Sequence, residues 1–309
     1  MTQPILSLTD ERTRQLQVLI DRSYTHYIDV NEVLDWNKGV DFSMNPKRPD
    51  HSWIYGTKYW DALTEPQRIQ MMWKETAMNV SMFIWLEATL PDMFMGYLHD
   101  YRDKVPGPIH EYMMLFSKEE IVHILMFRRY LKMTGLEQFE APGVLDFLKT
   151  LKTMHPIAGV LCTYLVESTA EEAAMLGSEG PGVDPLTRTM WKSHHFEEAR
   201  HLAFGKWICE EFLQKASEET KFKLGYLARA LMSTVVPQFT YSAEISKYLD
   251  FDIGISPDDA AEIDQVRRSA NNQRINQLRY GPMLDWMKRV GLADADYDYF
   301  DPVQPLPSF

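Results

Sequence analysis

Two Glu-x-x-His segments, Glu120-Ile121-Val122-His123 and Glu198-Ala199-Arg200-His201, carry the plainest chemical meaning in this chain. Residues three apart share one face of a helix, so each pair offers a carboxylate oxygen and an imidazole nitrogen to a single metal ion. Alone, each match is weak: 9 histidines among 44 acids produce about one such pair by chance. The bland reading of either is a surface acid beside a core histidine. Two further acids, Glu87 and Glu167, change the weight. In antiparallel neighbouring helices, residues at one level lie equally far from the connecting loop. Glu87 and Glu120 are 33 residues apart, with their midpoint at 103–104, just before Val105-Pro106-Gly107-Pro108. Glu167 and Glu198 are 31 apart, with their midpoint at 182–183, inside the loop at 180–185. Glu75 fails the test, because its midpoint with Glu120 falls within a helix. Glu171 passes it less clearly; it is a candidate acid behind the ligands, with a solvated face as its plainer reading.

The surroundings of these acids point to metal. Met82-Phe83-Ile84-Trp85-Leu86 precedes Glu87, and Leu161-Cys162-Thr163-Tyr164-Leu165-Val166 precedes Glu167, with no cation in either stretch. A carboxylate buried there is costly unless it is paired or metal-bound. Four carboxylates match the charge of two ferrous ions, and mixed carboxylate and imidazole donors suit iron or manganese better than calcium or magnesium. His194, Glu198 and His201 fall at i, i+4 and i+7, so the two histidines differ by only ~20° around a helix. His195 lies ~100° from His194 and is expected to be packed, exposed or behind the ligands. Tyr164 and Arg200 are candidate supporting donors, with simple packing as the bland reading of the tyrosine.

The elements that must position these residues are helices. Apolar residues recur at 3–4 spacing, and alternating strand-like runs are scarce. We expect helices near 9–27, 64–100, up to 134, 143–153, 156–176, 186–214, 217–248 and 257–291, with an irregular segment at 28–63 and a Pro- and Asp-rich tail. Pro91 falls inside the second and predicts a kink. The fold class expected is all-α, with a four-helix bundle core and additional helices in one domain spanning 1–309. With 45 % apolar and 25 % charged residues over 309 positions, disorder is excluded. The formal net charge of −12, with no Lys/Arg tract, gives no footprint for nucleic acid or an anionic membrane. No signal peptide is expected from residues 1–12, and no apolar run approaches the roughly 18–20 residues of a membrane span. The two cysteines, Cys162 and Cys209, fit a reducing cytoplasm. No Gly-x-Gly-x-x-Gly follows a strand, so electrons for any redox chemistry must come from a separate protein.

Glu87, Glu120-x-x-His123, Glu167 and His194-x-x-x-Glu198-x-x-His201 together resemble the ligand set of the p-aminobenzoate N-oxygenase family, the arylamine oxygenases of aureothin- and chloramphenicol-type pathways. The resemblance covers roughly 64–214. Four Glu with three His is more specific than the usual four Glu with two His, and His194 is the additional histidine. The resemblance implies a homodimeric ferritin-like bundle. It also implies two iron ions held by Glu87, Glu120, His123, Glu167, His194, Glu198 and His201, with dioxygen as co-substrate. The implied reaction oxidises an aromatic amine to a hydroxylamine, nitroso or nitro product in secondary metabolism, with electrons from an external reductase or ferredoxin. Two rival readings remain at this stage: the same centre used for C–H hydroxylation or desaturation, and a non-catalytic helical metal-binding protein.

Overall fold

The computed structural model describes residues 4–140, 142–241 and 243–297. Its helices are α1 (Asp10–Thr25), α2 (Lys58–Ala62), α3 (Glu65–Asp100), α4 (Gly107–Thr134), α5 (Pro142–Leu151), α6 (Pro156–Ser178), α7 (Pro185–Lys215), α8 (Glu218–Ala230), α9 (Val236–Thr240), α10 (Ala260–Arg267) and α11 (Ala270–Arg289). Among the described residues there is no strand, only an isolated bridge between Asn45 and Val183. Among them, too, no helix is long and apolar enough to cross a membrane. The tail from residue 298 onward lies outside the described residues.

Local chemistry sets the ends of the four long helices. At the start of α3, Gln67 Oε1 accepts the Thr64 backbone N–H at 2.9 Å, with Pro66 in the first turn. At the end of α4, Gly135 takes φ +68°, a left-handed turn that glycine adopts without penalty. His155 Nδ1 accepts from Ile157 N at 3.2 Å ahead of α6, and Asp184 Oδ1 accepts from Thr187 N at 2.8 Å ahead of α7. Pro91 sits within a helix that continues past it to Asp100.

Helices α3 and α4 form one hairpin and α6 and α7 another, each closed by a six-residue connection, 101–106 and 179–184. Contacts of α3 with α6 and of α4 with α7 join the hairpins into a ferritin-like bundle, with α5 on the long crossover between them. Around it, α1 lies on α4 and α7, α5 on α3, and α8 and α11 on α6. The irregular segment is tied to the α6–α7 turn: Arg48 N donates to Gly177 O at 2.8 Å and Asp184 N to Asn45 O at 2.8 Å.

Two expected long helices are broken. The stretch 217–248 divides into α8, a π turn at Leu231–Val235, α9 and a 3-10 turn at Ala243–Tyr248. Pro237, which lacks a backbone N–H and would clash with the carbonyl four residues back, follows the π turn. The stretch 257–291 divides at Ser269, whose Oγ accepts from Asn272 N at 3.4 Å and starts α11 anew.

Candidate metal centre

All seven acids and histidines singled out by spacing converge inside the bundle. Glu87 comes from α3, Glu120 and His123 from α4, Glu167 from α6, and His194, Glu198 and His201 from α7. Glu87, His123, His194 and Glu198 place one ligand atom each within 4.8 Å of one another. Glu120, Glu167, Glu198 and His201 do the same, and Glu198 belongs to both groups. Every one of these side chains is buried. Glu75, which failed the midpoint test, is elsewhere, paired with Lys47 at 2.7 Å.

The interior of this cluster is full of polar atoms without partners. Both carboxylate oxygens of Glu120, Glu167 and Glu198, Oε2 of Glu87, and Nδ1 of His123 and His201 make no hydrogen bond. His201 Nδ1 approaches Glu120 Oε1 to 2.9 Å, and His123 Nδ1 approaches Glu198 Oε1 to 3.2 Å, without hydrogen-bond alignment. Buried polar groups are almost always satisfied, and a concentration of unsatisfied ones marks a missing ion or water. By donor type and orphaned atoms, each group could hold a metal ion, and Glu198 is common to both.

Behind the cluster, each histidine is oriented by an acid. Glu197 Oε2 lies 2.8 Å from His123 Nε2, and Glu119 Oε2 lies 2.8 Å from His201 Nε2. Each Glu-Glu-x-x-His helix thus supplies the acid that supports the histidine of the other. Arg200 bridges the two acids, with Nη2 at 2.8 Å from Glu119 and 3.4 Å from Glu197. His194 is turned the other way round: its Nδ1 contacts Glu171 at 3.0 Å, while its Nε2 meets Glu87 at 3.0 Å. Glu171 is therefore not a solvated residue, because it is buried and also holds His195 Nδ1 at 2.8 Å. His195 is rotated outward and 41 % exposed, so it touches the cluster only through Glu171. Of the two supporting donors considered, Arg200 fills that role, whereas Tyr164 packs edge-on against Trp286.

Glu119 and Glu197 escaped the sequence analysis, although each directly precedes a Glu-x-x-His acid. The repeated Glu-Glu doublet was the available signal. The two halves also differ in a telling place. His194 stands four residues before Glu198, and the corresponding residue before Glu120 is Phe116, whose ring stacks on His201 at 3.7 Å. One group consequently has two nitrogen donors and the other has one.

Charge in the metal-free cluster is strongly perturbed. Burial pushes Glu87 up to about 8, against the pull of its hydrogen bond to His194. Burial, with the charges of Glu198 and Glu120, holds Glu167 well above the usual carboxylate range. Glu198 is held well below it: burial pushes up, but the charges of His201 and His194 and the close approach of His123 win. Glu119 falls to about 2, because its hydrogen bond to His201 and the charges of His201 and Arg200 overcome burial. His123 rises to about 9, since Glu197 and Glu198 outweigh burial and the nearby His194 charge. Metal ions entering here displace protons.

Arg200 offers a direct test of the supporting layer. Arg200→Gln removes the cation between Glu119 and Glu197 while leaving both histidine contacts. Metal affinity should fall roughly 10–100-fold, the usual cost of disturbing such partners, with helical content preserved. A titration with unchanged affinity would show that the two acids hold their histidines unaided.

A narrow cavity, with about 60 Å³ open to the centre of a water-sized sphere, adjoins the cluster. Its apolar part includes Met82, Phe83, Leu86 and Trp191, and its polar part includes Lys47, His51, Glu75 and Arg279. Phe83 and Trp191 separate it from the candidate metal residues, with ring centroids 5.1 and 6.4 Å from that of His194.

The sequence model of the family described as P-aminobenzoate N-oxygenase AurF matches residues 9–291. No curated protein matches the chain.

Proposed function

Because the chain belongs to the p-aminobenzoate N-oxygenase family, we propose that it is a non-haem di-iron oxygenase that uses dioxygen to oxidise an aromatic amine. The observation that carries this reading is the pair of overlapping groups around Glu198, with their concentration of unpartnered buried oxygens and nitrogens. Glu87, His123, His194 and Glu198 would hold one iron, and Glu120, Glu167, Glu198 and His201 the other. When bound, the two irons supply reduction of dioxygen and delivery of one oxygen atom to substrate nitrogen. The first turnover takes up dioxygen, two electrons and two protons and yields a hydroxylamine and water. Further rounds reach nitroso and nitro products.

The chain's own residues prepare that chemistry. Glu197, Glu119 and Glu171 fix the ring orientation and tautomer of His123, His201 and His194. Phe83, Phe127 and Trp191 crowd the His194 ring and keep water from that side of the cluster. An arylamine is neutral at pH 7 and keeps its nitrogen lone pair, whereas an alkylamine is mostly protonated, so an apolar approach selects the former. The reading includes an external electron donor, a cytoplasmic setting, a homodimer and a single domain centred on 64–214.

Anaerobic reconstitution is expected to give about two irons per chain, as paired ligand sets demand, and oxygenation of the reduced protein a transient visible band. A panel of arylamines analysed by product mass should show oxygen gained at nitrogen. One zinc per chain with no oxygen-dependent spectrum would defeat the di-iron reading. Hydroxylation of carbon with every arylamine ignored would replace N-oxygenation by C–H chemistry.

A further inference from the structure

One side of α7 departs from the acidic character of the chain. Arg188, Lys192, Phe196 and Ala199 fall on a single outward stripe and are all exposed. Between Pro185 and Lys206 the only acids of this helix are Glu197 and Glu198, and both are buried. The stripe is therefore cationic, in a protein of formal net charge −12. Phe196 at its centre is 66 % exposed, more than any other large apolar side chain among the described residues. It lines a surface groove with the exposed Tyr27, and the groove reaches the buried Glu197 and Arg200. Lys118 Nζ lies 4.9 Å from the Tyr27 ring centroid and adds a further cation. Asp29 and Glu32 belong to the other wall, together with Arg22. From the groove, hydrogen bonds run to both groups of candidate ligands. Arg200 Nη1 donates to Phe196 O at 3.3 Å and its Nη2 to Glu119 Oε1 at 2.8 Å, and Glu119 Oε2 meets His201 Nε2 at 2.8 Å. Glu197 accepts from Ile28 N at 2.9 Å and meets His123 Nε2 at 2.8 Å.

We infer that this groove and the stripe beside it are the docking surface of the electron donor, and that the donor is an acidic one-electron iron–sulfur protein. The inference rests on the proposed function in taking the centre to be a di-iron site reduced from outside. An acidic carrier complements Arg188, Lys192 and Lys118; such complementarity steers encounter, while a central aromatic side chain anchors the complex. Phe196 is that anchor. A carrier seated on it is separated from His123 by the Glu197 side chain, and from His201 by Arg200 and Glu119. Each carrier is oxidised by one electron and one ferric ion becomes ferrous, with no bond made or broken. Two carriers thus supply the two electrons that one oxygenation consumes. The groove shares no lining residue with the cavity beside His194, so the donor and a ligand in that cavity do not compete for space.

Calorimetry with a plant-type [2Fe–2S] ferredoxin, an acidic one-electron carrier, tests the surface without turnover. The iron-loaded protein should bind it saturably at low salt and about tenfold or more weakly at high salt, where exposed charges are screened. Cytochrome c, a basic one-electron carrier, should not bind. Phe196→Ala should weaken ferredoxin binding by roughly tenfold or more, the usual loss for a central aromatic anchor. Arg188→Glu combined with Lys192→Glu should weaken it by about as much, mainly by slowing association. In rapid mixing, the same substitutions should slow the oxidation of reduced ferredoxin by the diferric protein. Reduced methyl viologen, too small to need docking, should reduce every variant at the wild-type rate. Ferredoxin that does not bind, cytochrome c that binds more tightly, or an affinity that survives both sets of substitutions overturns the inference. Viologen reduction slowed in step with ferredoxin overturns it too, because the substitutions then act on the centre itself. A molecular mass by light scattering that halves in Phe196→Ala would assign the face to a second copy of this chain, against the inference. If Phe196→Ala fails to fold, the substitutions at the exposed Arg188 and Lys192 still decide. Ferredoxin binding with the expected dependence, in a protein that takes up no iron, would refute the proposed function and leave the docking surface standing. An iron-loaded, arylamine-oxidising protein that ignores ferredoxin would do the reverse.

Discussion

Loading the metal-free protein with ferrous iron under anaerobic conditions should raise its melting temperature by about 10 °C or more. A ligand present at a thousandfold over its dissociation constant, binding only the folded state, contributes about 4 kcal/mol per site. A chain of this size gains roughly 1.5 °C per kcal/mol, and there are two groups to fill. The gain should also grow with pH. Burial lifts Glu87 to about 8, well above its value in the unfolded chain. The folded apo state therefore holds more protons than the unfolded state between about pH 4.5 and 8. The stability that this proton confers is complete below about pH 4.5 and is lost as pH rises through about 8. His123, raised to about 9, acts in the same direction at higher pH. Iron must displace these protons, so it binds better as pH rises while the apo protein weakens. Paired thermal melts at pH 6 and pH 8 check both signs. Equal melting temperatures for apo and loaded protein would mean that the cluster holds no iron.

The candidate centre was legible because helical geometry ties position to number. The midpoint argument needs only that two helices be antiparallel and closed by a short loop, and both connections have six residues. His194 followed from its place on the stripe of Glu198 and His201. Other features depend on the partner helix, which spacing along one element does not reveal. Glu119 and Glu197 sit on the neighbouring face to Glu120 and Glu198, and their role appears only when α4 meets α7. Glu171 looked solvated because nothing local shows that His194 and His195 both reach it. Arg279 is further out of reach, since its contact with His51 joins residues 228 positions apart. The π turn ahead of Pro237 and the new helix start at Ser269 were open to sequence reasoning, because proline and an N-capping serine are local signals.

Of all single substitutions, His194→Ala should change the centre most selectively, and its neighbour His195→Ala serves as the control. His194 Nε2 lies 3.0 Å from Glu87 Oε1 and 3.2 Å from Glu198 Oε1, inside one of the two candidate ligand groups. Removing the imidazole opens one coordination position and leaves Glu171 with His195 alone. The oxygen-dependent spectrum should change and oxygen transfer fall steeply, even with both irons retained. His195 reaches the same place only through Glu171, 2.8 Å from its Nδ1, and its ring is partly in solvent. His195→Ala should leave the iron spectrum largely intact, although losses in rate of roughly 10–100-fold are compatible with its supporting position. The spectrum, rather than the rate, therefore separates a ligand from a residue that acts through Glu171. A spectrum altered by His195→Ala and untouched by His194→Ala would place the third nitrogen donor one residue later along α7. A spectrum altered by neither would reduce the centre to four acids and two histidines, and would remove the feature that sets this site apart from an ordinary di-iron hydroxylase.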